Sequence, residues 1–302
     1  MSAMTKALRT PEARFSALPD WPYAPNYVED LSGYEGLRLH YVDEGPREAP
    51  VFLCLHGEPS WAYLYRRMIP VFLRANARVI APDFFGFGRS DKPIDDAAYT
   101  AAFHRDAILA LIARLDLQHI TLVVQDWGGL IGLTLPLEAP GRYERLIVMN
   151  TAFGTGAAPS PGFIAWRDYA AKTPDMPVGA LIARGTPHLT PAEIAAYDAP
   201  FPDGSYKAGV RRFPQLVPTT PDDPFAILSR RARDFWRDEW TGQSFMAIGM
   251  ADPVLGPGVM NALRADIRNC PAPMEIEGAG HFVQEWGAPI AEAALASFAG
   301  KT

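Results

Sequence analysis

Six short runs of apolar and β-branched residues recur along the chain, and each has the length of a buried β-strand. The runs are Val51–Leu55, Arg78–Ala81, Thr121–Val124, Leu146–Met149, Phe245–Ile248 and Met274–Ile276. Continuous apolar runs of this length are typical of strands covered on both faces in a parallel sheet. Earlier in the chain, Leu37, Leu39 and Tyr41 alternate with polar residues, and this pattern predicts a half-exposed antiparallel strand.

Helical patterns separate these runs. The clearest spans Thr100–Leu117, where apolar residues recur on one face and Thr100 is the predicted N-cap. Alternation of strands and helices is typical of a parallel sheet with right-handed crossovers. The pattern therefore predicts an α/β fold with a mostly parallel central sheet.

The middle of the chain differs because it is rich in proline and lacks strand patterns. Of the 29 prolines, 12 lie between Gly156 and Pro224. Short helices broken by proline are predicted there, at Phe163–Ala171 and Pro191–Tyr197. We expect residues 156–230 to form a helical cap, inserted between two parts of one sheet domain at residues 1–155 and 231–302.

Composition and charge narrow the function classes. The formal net charge of −6 argues against a nucleic-acid partner, since such binding is driven by Lys and Arg. No apolar run reaches the roughly 18 residues of a membrane span, and residues 1–14 lack the apolar core of a secretory signal. A cytoplasmic protein without a membrane partner is expected. Two cysteines exclude a disulfide framework, and no His or Cys spacing suits zinc.

The strongest candidate for chemistry follows the third apolar run, in the string Val123-Val124-Gln125-Asp126-Trp127-Gly128-Gly129. A strand that ends at Asp126 and continues into a glycine-containing helix is typical of a nucleophile elbow, a strained turn that exposes one side chain. Gly128 would let the helix approach the strand closely. The alternative interpretation is that Asp126 caps the helix of an ordinary strand–helix turn.

Three other loops follow predicted strands and would meet at the same edge of the sheet. His56-Gly57-Glu58-Pro59 follows the first run, and its Glu58 amide can form an oxyanion hole with the Trp127 amide. Asp252 follows the run Phe245–Ile248, and His281 lies in the string Gly278-Ala279-Gly280-His281-Phe282. The chain order of nucleophile, acid and base is that of the α/β hydrolases.

The chain resembles the haloalkane dehalogenases of the α/β-hydrolase superfamily along nearly its whole length. The strings that carry the resemblance are His56–Pro59, Gln125–Gly129, Gly249–Asp252 and Gly280–Phe282. They match the subfamily in which the acid follows a late strand. In another subfamily the acid is a Glu at the position of Asn150, and an Asn stands at the position of Glu58.

The resemblance implies an α/β-hydrolase fold and the triad Asp126, His281 and Asp252. It also implies that a cap tryptophan completes a halide site with Trp127, and Trp166 in Gly162-Phe163-Ile164-Ala165-Trp166 matches that position. The implied reaction is hydrolysis of a haloalkane to a primary alcohol, a halide and a proton, without cofactor or metal.

The residue types fit this reaction. An Asp carboxylate is already ionised at neutral pH, because its ordinary pKa is about 3.9, and it needs no base before it attacks. Its attack on an ester would give a reactive anhydride, whereas attack on an sp³ carbon gives a stable ester. Indole N–H groups are donors that do not ionise, so Trp127 and Trp166 suit a departing halide.

Two alternative functions stay open. An epoxide hydrolase would use the same Asp126 with cap tyrosines as acids, and Tyr169, Tyr197 and Tyr206 lie in that region. A binding protein built on the same fold would not need a complete triad.

An ionised Glu58 beside Asp126 would be repelled, so its side chain must point away, find a partner or be protonated. Phe163 and Phe282, with the two tryptophans, suggest an apolar pocket of small to medium size.

Overall fold

An eight-stranded sheet forms the centre of the computed structural model, which describes residues 5–300. The strands are β1 (Asn26–Val28), β2 (Leu39–Glu44), β3 (Val51–Leu55), β4 (Arg78–Pro82), β5 (Ile120–Gln125), β6 (Tyr143–Met149), β7 (Gln243–Gly249) and β8 (Met274–Ile276). Their order across the sheet is β8-β7-β6-β5-β3-β4-β2-β1. Strands β3 to β8 run parallel, and β2 pairs antiparallel with both β1 and β4.

Each of the six predicted apolar runs lies in a strand. All residues of β3, β4 and β5 are buried, which explains why these strands show no alternation in the sequence. The edge strand β8 is less buried, with Glu275 exposed. The predicted α/β class and mostly parallel sheet are confirmed.

The predicted antiparallel strand exists, but its half-exposed alternation is wrong at His40. Strand β2 begins at Leu39, and His40 within it is 1% exposed. The Nδ1 of His40 lies 2.7 Å from the Oδ2 of Asp83, which is also buried. A polar residue in a strand is therefore paired with a buried carboxylate here, and the sequence pattern alone does not reveal that partner.

Ten α-helices accompany the sheet in residues 5–300. They are α1 (Ile69–Arg74), α2 (Ala101–Arg114), α3 (Asp126–Gly132), α4 (Pro161–Lys172), α5 (Val178–Arg184), α6 (Pro191–Asp198), α7 (Ala208–Leu216), α8 (Pro224–Asp238), α9 (Pro257–Ala265) and α10 (Gly287–Ala299). Thr100 is the N-cap of α2, as predicted, and its hydroxyl accepts a bond from the Phe103 N–H at 3.0 Å. The helix ends before the predicted Leu117, because Asp116 adopts a φ of +43° and turns the chain away.

Helices α4 to α8 lie between β6 and β7, and this part of the chain adds no strand to the central sheet. The helices predicted at 163–171 and 191–197 fall within α4 and α6. No sequence pattern predicted α5, α7 or α8. The predicted boundary after residue 230 falls inside α8, and the division into domains stays a prediction.

Helix α7 packs against the start of α3. The rings of Phe213 and Trp127 lie 4.9 Å apart in an edge-on contact. No helix within the described range 5–300 is long and apolar enough to cross a membrane.

Strand β3 and helix α3 approach each other so closely that only glycine fits at position 128. A Cβ atom there would lie 1.9 Å from the Leu55 carbonyl oxygen. We predict that Gly128→Ala lowers the free energy of unfolding by at least about 3 kcal/mol, because backbone atoms would have to move. Urea unfolding measures the loss.

Gly141→Ala is the matched control, because a Cβ at Gly141 meets nothing within 4 Å. Its stability should stay within about 0.5 kcal/mol of the parent. Equal unfolding midpoints for the two variants would contradict the predicted close approach.

Candidate active site

Asp126 lies at a strained turn between β5 and α3. Its φ is +49°, in the left-handed region that costs a residue with a side chain about 1–2 kcal/mol. Two contacts hold this turn: the Asp126 N–H donates to the Asn150 carbonyl at 3.0 Å, and the Thr151 hydroxyl donates to the Asp126 carbonyl at 2.7 Å. The predicted strained turn is therefore present, and it exposes the Asp126 carboxylate to a cavity.

The loop after β3 faces this carboxylate. The Glu58 N–H donates to Asp126 Oδ2 at 2.8 Å. Gly57 is required beside it, since a Cβ there would lie 2.5 Å from atoms of the Asp126 side chain. The buried His56 holds the loop: its Nε2 accepts from the Phe84 N–H at 3.0 Å, so its Nδ1 donates to the Gly57 carbonyl at 2.9 Å. Trp127, which carries the other predicted amide donor, is the second residue of α3.

His281 lies between two carboxylates. Its Nδ1 is 2.8 Å from Asp252 Oδ2, and its Nε2 is 3.5 Å from Asp126 Oδ1. Burial lowers the pKa of His281, but the negative charges of Asp252 and Asp126 outweigh burial and raise the pKa well above its ordinary value. The structure thus brings together the three residues of the predicted triad.

Asp252 is held as an anion by several donors. Its Oδ1 accepts from the N–H groups of Val254 and Leu255 at 2.9 and 3.1 Å. Burial raises the pKa of Asp252, but His281 and these bonds lower it further, to well below its ordinary range. The side chain is therefore a fixed negative charge next to the His281 ring.

Asn150 supports Asp252, a role that no sequence pattern indicated. Its Nδ2 donates to Asp252 Oδ2 at 3.0 Å and to the Gly249 carbonyl at 3.1 Å. Its Oδ1 accepts from the Gly249 N–H at 2.8 Å. The available signal was its position, immediately after β6 and at the same sheet edge as the triad.

A cavity of about 720 Å³ lies over these residues, between the sheet and the helices that follow β6. Its lining is largely apolar and includes all four aromatic residues expected there, Trp127, Phe163, Trp166 and Phe282. Trp127 is 3% exposed, and Trp166 lies on α4. Neither indole N–H has a hydrogen-bond partner within residues 5–300, so both remain available to a ligand.

The tyrosines of the epoxide alternative lie elsewhere. Tyr169, Tyr197 and Tyr206 are all absent from the residues that line the cavity. The Tyr197 hydroxyl is buried and bonded to Glu285. An epoxide oxygen in this cavity would therefore lack the tyrosine acids that the alternative requires.

The Glu58 side chain lines the same cavity. It is 4% exposed, and its Oε1 has no hydrogen-bond partner in the part of the chain that the structure describes. Burial, with a smaller contribution from the Asp126 charge, raises the pKa of Glu58 well above its ordinary value. The sequence left open whether the Glu58 side chain points away from Asp126, finds a partner or is protonated. This environment favours the protonated carboxyl.

Metal binding has no candidate residues in residues 5–300, where no group of three His, Cys, Asp or Glu side chains is placed to hold an ion. The site combines the carboxylates of Asp126 and Asp252 with the imidazole of His281 at one edge of the sheet. Such a site on this fold defines an α/β hydrolase, and the family model for the alpha/beta hydrolase fold matches residues 50–288.

Known relatives identify the family within this class. The haloalkane dehalogenase of Psychrobacter cryohalolentis is 46% identical over 93% of this chain and 93% of that protein. The haloalkane dehalogenase of Mycobacterium marinum is 43% identical over 93% of this chain and 96% of that protein. The tetrameric structure of haloalkane dehalogenase DpaA from Paraglaciecola agarilytica NO2 is 54% identical, with a TM-score of 0.96 over 97% of this chain and 99% of that chain. The chain belongs to the haloalkane dehalogenase family.

Replacing Glu58 by Gln tests the protonated carboxyl. Between the ordinary and the raised pKa of Glu58, the folded chain binds more protons than the unfolded chain, so stability falls as pH rises. The excess stability of Glu58→Gln over the parent should grow as the pH rises from the ordinary pKa towards the raised one, by up to roughly 1.4 kcal/mol per pH unit. Urea unfolding at several pH values measures this difference.

The exposed Glu275→Gln variant controls for the loss of one negative charge. A stability difference between Glu58→Gln and the parent that stays constant over this range would contradict a protonated Glu58.

Proposed function

We propose that this chain hydrolyses the carbon–halogen bond of haloalkanes to a primary alcohol, a halide and a proton. The observation that carries the proposal is an aspartate at a strained elbow, facing an apolar cavity lined by Trp127 and Trp166, whose indole N–H groups have no partner in residues 5–300. Family membership supports the same reaction. The substrate is a small apolar halogenated molecule, because most of the cavity lining is apolar.

In the first step, an Asp126 carboxylate oxygen attacks the carbon that carries the halogen. The carbon–oxygen bond of an alkyl ester forms as the carbon–halogen bond breaks, and the halide leaves with the electron pair. No proton moves in this step, so no base is needed. The Glu58 amide, at 2.8 Å from Asp126 Oδ2, fixes the direction of the carboxylate.

The departing halide is stabilised by Trp127 and Trp166. Negative charge develops on the halogen in a cavity with few polar groups, and donors aimed at that charge lower the barrier. Trp127 belongs to α3, next to the nucleophile, and Trp166 belongs to α4. An indole N–H donates without losing its proton, so the halide is solvated and not protonated.

In the second step, His281 takes a proton from water, and the water oxygen attacks the ester carbonyl of Asp126. The backbone amides of Glu58 and Trp127 stabilise the oxyanion, and such a donor is worth about 2.7–4 kcal/mol. Asp252 orients His281 and stabilises the imidazolium. When the intermediate collapses, the His281 imidazolium gives its proton to the leaving alkoxide, which departs as alcohol. The remaining water proton leaves Asp126 for solvent, and Asp126 returns as carboxylate.

The same proposal includes the organisation of the chain. Residues 156–230 act as a cap on a sheet domain formed by residues 1–155 and 231–302, and the presence of Phe163 and Trp166 in the cavity wall supports this division. We further propose that the protein acts in the cytoplasm, with no nucleic-acid or membrane partner.

His281→Gln tests the reaction and the order of its steps. The variant should release about one bromide per chain from a bromoalkane and then stop, because only ester hydrolysis needs the base. Rapid-mix bromide detection measures the burst, and mass spectrometry should find the alkyl group on Asp126.

Asp126→Asn is the matched negative control and should release no bromide. Continued turnover of His281→Gln near the parent rate would remove His281 from the mechanism. A parent that releases no bromide but opens an epoxide to a diol would favour the alternative hydrolase.

Trp166→Phe tests the halide site, because it keeps an aromatic ring and removes the N–H. We expect bromide affinity to fall at least about tenfold, since a hydrogen bond to a charged group contributes roughly 1.5–3 kcal/mol. Carbon–halogen cleavage should slow, with ester hydrolysis much less affected. Bromide quenching of tryptophan fluorescence and single-turnover kinetics give the two readouts.

Trp286→Phe is the control, since Trp286 packs against His188 and is absent from the cavity lining. Unchanged bromide affinity and cleavage in Trp166→Phe would reduce Trp166 to a packing residue.

A further inference from the structure

Gln125, the last residue of β5, is a buried polar side chain that the proposed mechanism does not use. Its amide nitrogen lies 2.9 Å from His281 Nε2 and 3.0 Å from the His281 carbonyl oxygen. The Gln284 amide nitrogen lies 3.4 Å from Gln125 Oε1. One amide group therefore contacts both the ring and the backbone of the proposed base.

These contacts determine which way the amide faces. A backbone carbonyl oxygen only accepts hydrogen bonds, so the group near the His281 carbonyl must be the NH₂ of Gln125. The Gln284 amide donates from the other side to Oε1, which agrees with that orientation. The same NH₂ group then faces Nε2 as a donor, and Nε2 must accept. The proton of a neutral His281 consequently lies on Nδ1, where Asp252 accepts it at 2.8 Å.

We propose that Gln125 is a positioning residue that keeps His281 Nε2 free of a proton while the Asp126 ester awaits hydrolysis. The inference rests on the proposed function, in which water takes the place of the Gln125 N–H at the single lone pair of Nε2 and loses a proton to it. A donor that faces the lone pair of a base favours its neutral form, and it disfavours the imidazolium, whose N–H would point at another N–H.

The electrostatics of the cavity explain why such a donor is useful. The charged or titratable groups that share this cavity with His281 are Asp126, Asp252, Glu58 and Arg184. The two aspartates favour the imidazolium. Formation of the ester removes the charge of Asp126, and Asp252 then remains as the carboxylate in contact with the ring. Gln125 opposes the tendency of Asp252 to keep His281 protonated, so that the ring is neutral when water must be deprotonated.

The test compares Gln125→Leu with Gln125→Glu in single-turnover experiments on a bromoalkane over a range of pH. Gln125→Leu removes the donor. The acidic limb of the pH–rate profile for ester hydrolysis should therefore move up by about one pH unit. Hydrolysis should then be about tenfold slower below that limb. Gln125→Glu places an acceptor near Nε2 and should move the limb further. The rate of bromide release in the single turnover should stay within about threefold of the parent rate in both variants, because alkylation needs no base.

Gln284→Leu is the matched control, since it removes a buried amide that contacts Gln125 without touching the His281 ring. Its acidic limb should coincide with that of the parent. Equal slowing of both steps in the Gln125 variants, with unshifted limbs, would overturn the proposal and leave Gln125 as a structural residue. Absence of bromide release by the parent would instead overturn the proposed function.

A measurement on the parent keeps the proposal testable if a variant does not fold. Nitrogen NMR of the His281 ring, assigned by comparison with His281→Gln, shows which nitrogen keeps its proton when the ring is deprotonated. We expect Nδ1 to keep it. A proton on Nε2 would overturn the assignment of Gln125 as its donor.

Discussion

The left-handed backbone at Asp126 is the constraint on which the rest of the site depends. A turn of this kind between a strand and a helix costs conformational energy, so the neighbouring residues must leave space for it and hold it in place. Gly128 lets α3 lie against the end of β3, and Gly57 leaves space for the carboxylate. The Asn150 carbonyl and the Thr151 hydroxyl hold the turn from the adjacent strand. Gly57, Gly128 and the Thr151 hydroxyl thus all accommodate or hold this one turn.

Three carboxyl groups share the cavity, and their hydrogen-bond donors distinguish them. Asp252 accepts bonds from two backbone amides, Asn150 and His281, so its charge is retained. Glu58 Oε1 has no donor in residues 5–300 and is buried, so its neutral form is favoured. Asp126 receives the Glu58 amide but stays open to the cavity. Local donors, more than residue type, therefore distinguish a fixed anion, a neutral acid and a reactive carboxylate.

The sequence predicted those features that depend on local patterns. Continuous apolar runs gave β3 to β8, and the strings around Asp126, Asp252 and His281 predicted residues that the fold brings together. Helices such as α7 were missed because proline interrupts their pattern, as Pro214 does. The roles of Asn150 and Gln125 depend on contacts with residues about 100 and 156 positions away, which no local pattern contains. The partner of His40 was hidden for the same reason.

The position of Trp166 on α4 has an evolutionary consequence. The other side chains of the proposed chemistry lie on loops that follow strands and on α3, where a small backbone shift would disturb several of them at once. Trp166 belongs to a helical segment that enters the chain between two strands and contributes no strand to the sheet. Selection can therefore alter the walls of the cavity, and with them the range of halogenated compounds accepted, while leaving the residues proposed to hydrolyse the ester unchanged.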